Sequence, residues 1–494
     1  MKPTIYSRFK ELVTANPDHP AVIDERSCVT YAGLDRLVDT LISRFPSFIP
    51  ARVGVVMDHS VEMVAALLAI NKAGAAFVPV EPDFPPERLD RFLTENGVDF
   101  VITRERYSSL VSKFSLLIVG SGIYADPALH PLPDRSRADR PAYIIYTSSA
   151  SGYPLGVMVG NRQVVAMAGR FGNAFRISPD DVLLQYSACI VNIFIEEVFG
   201  TLLNGAVLAI PDSATRNDPE ALLRFADEQY VTIISGFPYL LHEFNAMHSL
   251  PITLRLVISG GGQLNPQSVD HLMEQVTVYN TYGPAEGTVL STLYCCNGGY
   301  SLPSGHYPAG KPMEGVEVMI LDDNLQPVAP GAEGEICLGG DGVADSFTGD
   351  HRADQLASLT SLPDGTRIAR TGDIGRILPD GSLDYLRRKD SEVSILGKRV
   401  VTGEVERALI ASGEVKECAV VHYTDEKGSV YLVAYVVPST RSFSLSWVKN
   451  RIAQYLPGYM IPEFFVLLRQ LPVTATGQVN QLALPVVLKD AAAV

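Results

Sequence analysis

The chain of 494 residues is longer than one domain of ordinary size, so we expect two or more domains, each with a large core. Apolar residues make up 47% of the chain and charged residues 19%, a composition that excludes an intrinsically disordered protein. The formal net charge is −15 at pH 7 and no basic cluster stands out, which argues against nucleic acid or an anionic membrane as the main partner.

The N-terminal segment has no apolar signal core, and no stretch approaches the roughly 18 uninterrupted apolar residues of a membrane span. We therefore expect a cytoplasmic protein without membrane contact. The six cysteines are scattered without a CxxC motif, and the nine histidines show no metal-ligand spacing. The spacing thus indicates neither a zinc site nor a disulfide framework.

Short apolar runs alternate with helical patterns over about 300 residues, which predicts an α/β fold with largely parallel sheets. Ligands of such folds lie at the carboxyl ends of the strands. One helix start is marked by Asp218 as N-cap and Pro219 in the first turn. The predicted strands are 52–57, 76–80, 142–145, 231–235 and 254–259, and the predicted helices are 61–72 and 218–230.

The composition changes near residue 330, where the glycine-rich stretch 334–342 predicts a twisted β region. The charged run 387–390 is typical of a hinge. After it, the pattern predicts a small α+β domain. Its predicted elements are a hairpin of 417–423 with 430–437, a helix over 446–456 and a strand over 464–468. We therefore predict a large domain over 1–389 and a small one over 390–494, with the hinge near Asp390.

A loop of small hydroxylic residues and glycines, 146–156, follows a predicted strand. Such a loop can hold phosphates with its N–H and O–H groups, although many Ser/Gly loops bind nothing. Further motifs follow in order along almost the whole chain. They are VTYAGL at 29–34, KAGAAFVPVEP at 72–82, NTYGPAE at 280–286, GEICLGG at 334–340, RTGD at 370–373, the stretch 386–406 and LPVTATGQ at 471–478.

Together these motifs resemble the acyl-adenylate-forming (AMP-binding) superfamily, particularly the adenylation domains of nonribosomal peptide synthetases. The resemblance implies an adenylate-forming enzyme fold, with a large N-terminal domain of parallel sheets and a small mobile C-terminal domain. The implied cofactors are ATP or AMP and Mg²⁺. The residues that it implies for nucleotide binding are Thr147, Ser148, Ser151, Gly152, Gly260, Gly261, Gly262, Asn280, Tyr282, Gly283, Asp373 and Arg388.

Individual roles follow from the same resemblance. Asp373 would accept hydrogen bonds from the ribose hydroxyls, and Tyr282 with the 260–262 backbone would flank the adenine. Glu286 would hold Mg²⁺, a cation that prefers oxygen ligands, unless it is a solvated loop residue. Arg388 would reach the ribose or a phosphate, or is a solvated charge. Asp390 matches the hinge residue.

The sequence also departs from the family's pattern on the phosphate side. In the phosphate loop, Ser149 and Ala150 replace Gly-Thr, and Leu155 replaces a lysine. The final motif carries Gln478 where the family has a catalytic lysine. The hinge motif has unusual residues at Ser394, Leu396 and Val401. Two explanations stay open: drift with rescue by Lys389, Lys398 or Arg399, or a loss of catalytic power.

The acid pocket departs as well. Asn192 replaces the aspartate that pairs with an α-ammonium group, and a neutral amide cannot supply a charge-assisted bond. Glu196 takes a position that normally lines the pocket, or it is a solvated residue at a helix start. The resemblance predicts an aryl acid, or an amino acid whose amine lies elsewhere, as the substrate. The predicted lining is Asn192, Ile193, Glu196, Ser235, Ile258, Gly260, Thr281, Val289 and Leu290.

The implied reaction is acid + ATP → acyl-AMP + pyrophosphate, followed by transfer to a carrier-protein thiol, as in secondary metabolite biosynthesis. No Gly-x-Asp/His-Ser-Leu motif is present, so we expect the phosphopantetheinylated carrier in trans and a stand-alone or excised unit. A coenzyme A ligase is disfavoured by the motifs at 72–80 and 280–284. The alternative is a degenerate protein that binds nucleotide or a partner protein without efficient chemistry.

Overall fold

The computed structural model describes residues 2–120, 126, 129–147, 155–247, 249–348, 358–389, 392–425, 429–440, 443–472 and 483–485. The chain divides into two compact units. The first contains residues 1–82, 92–146 and 156–389, and the second contains 83–91, 147–155 and 390–494. The second unit thus takes two short segments from the first third of the chain, which the sequence patterns did not indicate.

The helices are α1 (Ile5–Ala15), α2 (Tyr31–Ile42), α3 (Val61–Lys72), α4 (Pro86–Glu95), α5 (Asn161–Phe175), α6 (Asn192–Ile195), α7 (Ser213–Arg216), α8 (Pro219–Glu228), α9 (Pro238–Asn245), α10 (Leu272–Gln275), α11 (Thr402–Ala411) and α12 (Leu445–Ile452). A π-helical turn, Glu196–Gly200, continues α6, and short 3₁₀ turns include Ala285–Gly287.

The strands are β1 (Pro20–Asp24), β2 (Cys28–Thr30), β3 (Arg52–Val56), β4 (Ala76–Pro79), β5 (Phe100–Thr103), β6 (Ser115–Ile118), β7 (Pro141–Thr147), β8 (Leu155–Gly160), β9 (Val182–Leu184), β10 (Val207–Ile210), β11 (Ile233–Gly236), β12 (Leu256–Ser259), β13 (Thr277–Tyr282), β14 (Thr292–Cys295), β15 (Lys311–Pro312), β16 (Val316–Leu321), β17 (Gly334–Gly340), β18 (Ser346–Thr348), β19 (Leu359–Ser361), β20 (Arg367–Ile377), β21 (Leu383–Arg388), β22 (Glu392–Ile395), β23 (Lys398–Val401), β24 (Val415–Thr424), β25 (Val430–Pro438) and β26 (Phe464–Leu467).

Local sequence signals account for several of these boundaries. The Asp218 side chain accepts hydrogen bonds from the backbone N–H groups of Glu220 and Ala221, so α8 begins where the N-cap signal predicts. Helix α3 has the predicted bounds and is buried along its whole length, which explains why its sequence is apolar on every side. The predicted strands 52–57, 76–80, 142–145, 231–235 and 254–259 are confirmed in type, with ends that differ by one or two residues.

Two large sheets form the frame of the first unit. In the described residues, a nine-stranded sheet has the order β15-β14-β13-β12-β11-β9-β10-β1-β2, and a seven-stranded sheet has the order β18-β8-β7-β4-β3-β5-β6. The inner strands of the first, from β13 to β1, are all parallel, and antiparallel strands flank them. The carboxyl ends of β11, β12 and β13 therefore meet at one edge of this sheet, where the site is built.

A third sheet departs from the expected parallel arrangement. It has the order β16-β17-β20-β19 with β21 beside β20, and its pairs are antiparallel. It contains the predicted twisted β region around 334–342. In the pairing of β20 with β21, Asp373 lies opposite Arg388, so the strand register brings two of the predicted nucleotide-binding residues together.

The second unit contains a small α+β core. Strands β24 and β25 form the predicted antiparallel hairpin, and β26 adds to it in parallel. Helices α11 and α12 contribute to the core through buried apolar residues, including Val405, Leu409, Val448 and Ile452. The predicted helix of 446–456 begins one residue earlier and ends at Ile452. The chain thus combines an α/β unit with large sheets and a small unit with sheets and helices.

In the part of the chain that the structure describes, no helix has the length and apolar character that crossing a bilayer requires.

Candidate functional site

Asp373 is the centre of the predicted nucleotide site, and it is almost completely buried. Its Oδ2 accepts a hydrogen bond of 2.6 Å from the Tyr282 hydroxyl, and its Oδ1 accepts one of 2.9 Å from Arg388 Nη1. The Thr371 hydroxyl oxygen accepts a hydrogen bond of 3.0 Å from the backbone N–H of Asp373. The structure therefore joins the three residues that the resemblance implied for adenine and ribose.

This carboxylate keeps acceptor capacity for a ligand, because two carboxylate oxygens can accept about four hydrogen bonds. Arg388 is held by Asp373 and by the carbonyl of Thr371, at 2.9 Å each, and only 15% of its side chain is exposed. The interpretation of Arg388 as a solvated charge is therefore wrong. The cluster can present a fixed, partly neutralised carboxylate to a pair of hydroxyl groups.

Glu286 lies in the 3₁₀ turn that follows β13, and it is 6% exposed. The interpretation as a solvated loop residue is therefore wrong. Its backbone carbonyl accepts a hydrogen bond of 2.9 Å from the N–H of Ala344, which fixes the turn. Mg²⁺ is commonly bound by one or two carboxylates together with substrate phosphates. A fixed carboxylate at the end of a central strand fits that donor set.

The turn between Tyr282 and Glu286 requires glycine at position 283. A Cβ atom on Gly283 would lie 1.7 Å from the carbonyl oxygen of Val289. The following Thr288 and Val289 have φ values of 54° and 69°, in the left-handed region that non-glycine residues seldom adopt. Strained residues of this kind persist only where the surrounding structure fixes them, and they cluster at functional sites.

Asn192 fixes one side of this turn. Its Nδ2 donates a hydrogen bond of 2.9 Å to the carbonyl of Gly283. The side chain that the resemblance assigns to the substrate ammonium thus links α6 to the predicted adenine loop. An aspartate could not make this bond, because a carboxylate has no hydrogen to donate.

We expect Asn192→Asp to destabilise the protein by about 1–2 kcal/mol, because the Gly283 carbonyl loses its donor and meets a carboxylate instead. The midpoint of urea unfolding measures this loss. The matched control is Asn324→Asp on an exposed turn, which should leave the midpoint unchanged. An equal midpoint for both variants would show that the Asn192 bond does not contribute.

The 260–262 turn lies against the acid-pocket residues. Gly261 has a φ of 72°, and a Cβ atom on Gly260 would lie 3.2 Å from Thr281 Oγ1 and 3.3 Å from Ile193 Cδ1. The glycines therefore serve both as a tight turn and as a close approach between backbone and side chains. Of the predicted pocket residues, Ile193, Gly260 and Thr281 lie together. Val289 and Leu290, which follow Thr281 in the sequence by less than ten residues, are buried.

Glu196 is only 2% exposed, so its interpretation as a solvated residue is wrong. Its Oε1 accepts a hydrogen bond of 2.9 Å from the hydroxyl of Ser235, another predicted pocket residue. Burial raises the pKa of Glu196 to about 8, although the Ser235 bond opposes the shift. The residue begins a π-helical turn, a feature that is frequent at functional sites.

Glu197 next to it has a different role. It accepts hydrogen bonds from Gln185 Nε2, from the backbone N–H groups of Tyr186 and Ser187, and from the Ser187 hydroxyl, at 2.9–3.2 Å. Burial raises its pKa to about 7 in spite of these bonds. Glu197 therefore fastens the 185–187 segment to the π turn.

The sequence interpretation missed a buried network around His59. Gln185 donates to Ser187 and Glu197, so its Oε1 faces His59 Nδ1 at 2.5 Å. The other ring nitrogen, Nε2, faces Glu81 Oε1 at 3.2 Å. Both ring nitrogens of His59 are thus within hydrogen-bond distance of a side-chain oxygen. Burial alone would raise the pKa of Glu81, but His59 and the N–H of Cys189 hold it below its usual range.

His59, Glu81 and Cys189 also bring three metal-ligand types within 4.8 Å of one another in the described residues. Both ring nitrogens already have hydrogen-bond partners, Gln185 Oε1 and Glu81 Oε1, and the Cys189 N–H donates to the same Glu81 oxygen. The residues are far apart in the sequence, and no spacing rule could have found them. Glu81, the glutamate in the motif at 72–82, was the one available sequence signal for this network.

The remaining predicted residues divide into three groups. Asn280 is buried, but its Nδ2 donates to the carbonyl of Pro308 at 2.9 Å, on the opposite face of β13 from Thr281, so its side chain does not join the site. Ile258 is buried in β12 beside Ser235, and Thr147 is the last residue of β7. The predicted residues that lie outside the described part of the chain are Ser148, Ser151, Gly152, Asp390 and Gln478.

Comparison with known proteins places this site in a family. The model of the AMP-binding enzyme family matches residues 9–347, and the model of the AMP-binding enzyme C-terminal domain matches residues 404–478. Bacitracin synthase 2 of Bacillus licheniformis is 33% identical over 98% of this chain, and tyrocidine synthase 2 of Brevibacillus parabrevis is 32% identical over 98%. The chain spans 18% and 13% of the length of these two relatives.

Solved structures show the same fold. An artificially fused adenylation–PCP di-domain from Klebsiella oxytoca, NpsA-ThdA, matches 94% of this chain and 86% of its own with a TM-score of 0.80 at 23% identity. The Vibrio cholerae adenylation domain AlmE, in complex with glycyl-adenosine-5'-phosphate, matches 97% and 96% with a TM-score of 0.85 at 19% identity. With both family models matching in order, this chain belongs to the AMP-binding enzyme family, with adenylation units of peptide synthetases among its relatives.

Proposed function

We propose that this protein activates a carboxylic acid with ATP to an acyl-AMP and passes the acyl group to the thiol of a carrier protein. The observation that carries this proposal is the buried cluster of Asp373, Tyr282 and Arg388 beside the turn that holds Glu286. Its hydrogen-bonded carboxylate, aromatic hydroxyl and second carboxylate suit a ribose, an adenine and a magnesium ion. A cytoplasmic location, where ATP is available, is part of the proposal.

In the first half-reaction, a carboxylate oxygen of the acid forms a bond to the α-phosphorus, and the bond from that phosphorus to pyrophosphate breaks. Asp373 and Tyr282 would hold the nucleoside end, which orients the α-phosphate toward the acid pocket. Mg²⁺ on Glu286 would offset part of the triphosphate charge. In the second half-reaction, the carrier thiolate attacks the acyl carbonyl and AMP leaves.

The acyl acceptor is proposed to be the phosphopantetheine thiol of a carrier protein that acts in trans. Support for a carrier as the partner, whether in trans or not, comes from structural neighbours that contain adenylation and carrier units. NpsA-ThdA is described as an adenylation–PCP di-domain, and PA1221 as a protein containing adenylation and PCP domains.

We further propose that the chemistry is slow. The lysines of the family pattern are replaced by Leu155 and Gln478, and two of the cations considered as substitutes, Lys389 and Lys398, have other partners. Lys389 Nζ lies 2.6 Å from Asp323 Oδ1, and Lys398 Nζ lies 4.5 Å from the centre of the Tyr459 ring. Adenylation brings an anionic carboxylate against an anionic phosphate, so missing cations reduce the rate.

The same replacements favour a second function, in which the protein binds an adenine nucleotide or a partner protein without turnover. ATP–pyrophosphate exchange across a panel of acids, run beside calorimetry with AMP, separates the two. Exchange with any acid supports the ligase. AMP binding without exchange, even after the lysines are restored, supports the binding protein.

We expect Asp373→Ala to weaken AMP binding by about 1.5–3 kcal/mol, because hydrogen bonds to a charged carboxylate are lost. Calorimetric titration with AMP measures the change. Asp373→Asn keeps the shape of the side chain, so less of the Arg388 charge faces an empty space than in Asp373→Ala. This variant should weaken AMP binding by an intermediate amount. Asp364→Ala, in an exposed turn, serves as control. Unchanged AMP affinity in both Asp373 variants would remove Asp373 from the ribose site.

A further inference from the structure

A buried cluster of three side chains lies beyond the carboxyl ends of three strands, and the proposed chemistry does not use it. His59 follows β3, Glu81 follows β4, and Cys189 lies in the segment between β9 and α6. Strands β3 and β4 belong to the seven-stranded sheet and β9 to the nine-stranded sheet. The cluster therefore connects the two large sheets of the first unit, at the strand ends where α/β folds bind ligands.

The cluster offers three kinds of ligand atom. An imidazole nitrogen, a carboxylate oxygen and a cysteine sulfur, one from each residue, all lie within 4.8 Å of one another. Such a mixture of nitrogen, oxygen and sulfur is typical of Zn²⁺, whereas Mg²⁺ and Ca²⁺ prefer oxygen ligands. All three side chains are more than nine-tenths buried, as the ligands of a closed structural zinc site are.

The hydrogen bonds around His59 leave its Nε2 for a cation. Gln185 Nε2 donates to Ser187 and Glu197, so Gln185 Oε1 is the acceptor for the Nδ1–H of His59 at 2.5 Å. Metal-ligating histidines usually donate their other N–H to such an oxygen. A neutral imidazole then presents the Nε2 lone pair to Glu81 Oε1 at 3.2 Å. Two acceptors this close require a positive species between them, which is either a proton or a metal ion.

The distance between the two acceptors favours the metal ion. A charge-assisted N–H···O bond from an imidazolium to a carboxylate is about 2.7–2.9 Å long. Nitrogen and oxygen ligands of a tetrahedral zinc, each about 2.0–2.1 Å from the ion, lie about 3.3–3.4 Å apart. The 3.2 Å between His59 Nε2 and Glu81 Oε1 is nearer to the second value. A proton needs only these two groups, whereas zinc uses the sulfur of Cys189 as well.

We propose that His59, Glu81 and Cys189 bind one Zn²⁺ ion, which joins the two large sheets and fixes the segment that leads into α6. Zinc binds the thiolate, so the Cys189 thiol releases its proton to the solvent when the bond between zinc and sulfur forms. Glu81 and the thiolate then balance the charge of the ion. Two further charged groups flank the site, Arg216 near Glu81 and Glu197 beside Gln185.

Zinc titration of the tag-free full chain tests this proposal, with an excess of Mg²⁺ present to occupy the proposed magnesium site at Glu286. We expect one Zn²⁺ per chain by elemental analysis after dialysis, and a higher thermal unfolding midpoint that a chelator reverses. Co²⁺ in place of Zn²⁺ should give a sulfur-to-cobalt charge-transfer band. Cys189→Ala should abolish this band, and Glu81→Gln should weaken zinc binding by roughly tenfold or more. Circular dichroism checks the folding of each variant.

Two cysteines outside the cluster supply the matched controls. Cys296→Ala removes a buried thiol after β14, and Cys28→Ser removes an exposed one. Both variants should keep the zinc, the cobalt band and the shift of the unfolding midpoint.

The proposal is overturned if the wild type retains no zinc, which would leave a proton between His59 and Glu81. It is also overturned if the cobalt complex lacks the sulfur band, if Cys189→Ala keeps that band, or if either control loses the zinc. Because none of these measurements depends on turnover, the zinc site is tested separately from the proposed activation of an acid.

Discussion

Replacing Leu155 and Gln478 together by lysine is expected to raise ATP–pyrophosphate exchange by about 10²–10³-fold. The resemblance implies a cation at each position, one serving the phosphates and the other the carboxylate and α-phosphate. Gln478 can donate hydrogen bonds but has no charge, and leucine has neither. The gain should appear in kcat more than in AMP affinity, because the added charges act where negative charge develops in the transition state.

The matched control is the double variant Leu155→Met and Gln478→Met, which has unbranched side chains of similar length and no charge. It should leave exchange at the wild-type level or below. A wild-type protein that already adenylates its acid at a rate the lysines do not improve would contradict the proposal of slow chemistry. Exchange should be measured with each acid of the panel, so that a wrong substrate is not mistaken for a missing cation.

Glu196→Gln is expected to stabilise the folded protein at pH 9 and to have little effect at pH 5. Burial raises the pKa of Glu196 from 4.5 to about 8, so the folded state keeps its proton in a range where the unfolded chain has lost it. The contribution of Glu196 to the free energy of unfolding is therefore fully present below about pH 4.5 and is lost as the pH rises through 8. The loss is of the order of 5 kcal/mol at pH 9, since the pKa rises from 4.5 to about 8 and each pKa unit corresponds to about 1.4 kcal/mol.

Urea unfolding at pH 5, 7 and 9 measures this difference for the wild type, Glu196→Gln and the exposed control Glu243→Gln. The gap between the wild type and Glu196→Gln should widen steadily with pH, and the control should follow the wild type. Glu197 contributes its own dependence near pH 7, and because its charge also raises the pKa of Glu196, the gap includes the repulsion between these two carboxylates. A constant gap would mean that Glu196 is not buried as an uncompensated acid.

The order of strands and helices was predictable because it depends on local signals. The apolar pattern of α3 and the Asp218–Pro219 start of α8 each depend only on residues close together in the sequence. Asp373, Tyr282 and Arg388 could be assigned to one site from motifs, although the sequence could not show that they bond to one another.

Other features depend on which face a side chain takes in the folded sheet. Asn280 and Thr281 are adjacent in one motif, yet they point to opposite faces of β13, and the alternation along a strand could have separated them. The burial of Glu196 could not be predicted, because a glutamate at a helix start is usually solvated. The His59–Glu81 pair depends on contacts between distant segments.

Under the proposed function, the hydrogen bond from Asn192 to the Gly283 carbonyl would connect the acid site with the nucleotide site. An acid that displaced α6 would then also displace the turn that carries Tyr282 and Glu286, and a nucleotide held by this turn would restrain α6. By thermodynamic linkage, the factor by which the acid changes the nucleotide affinity equals the factor by which the nucleotide changes the acid affinity. The amide at position 192 would in this way couple the two binding events, whereas an aspartate has no hydrogen to donate to the same carbonyl.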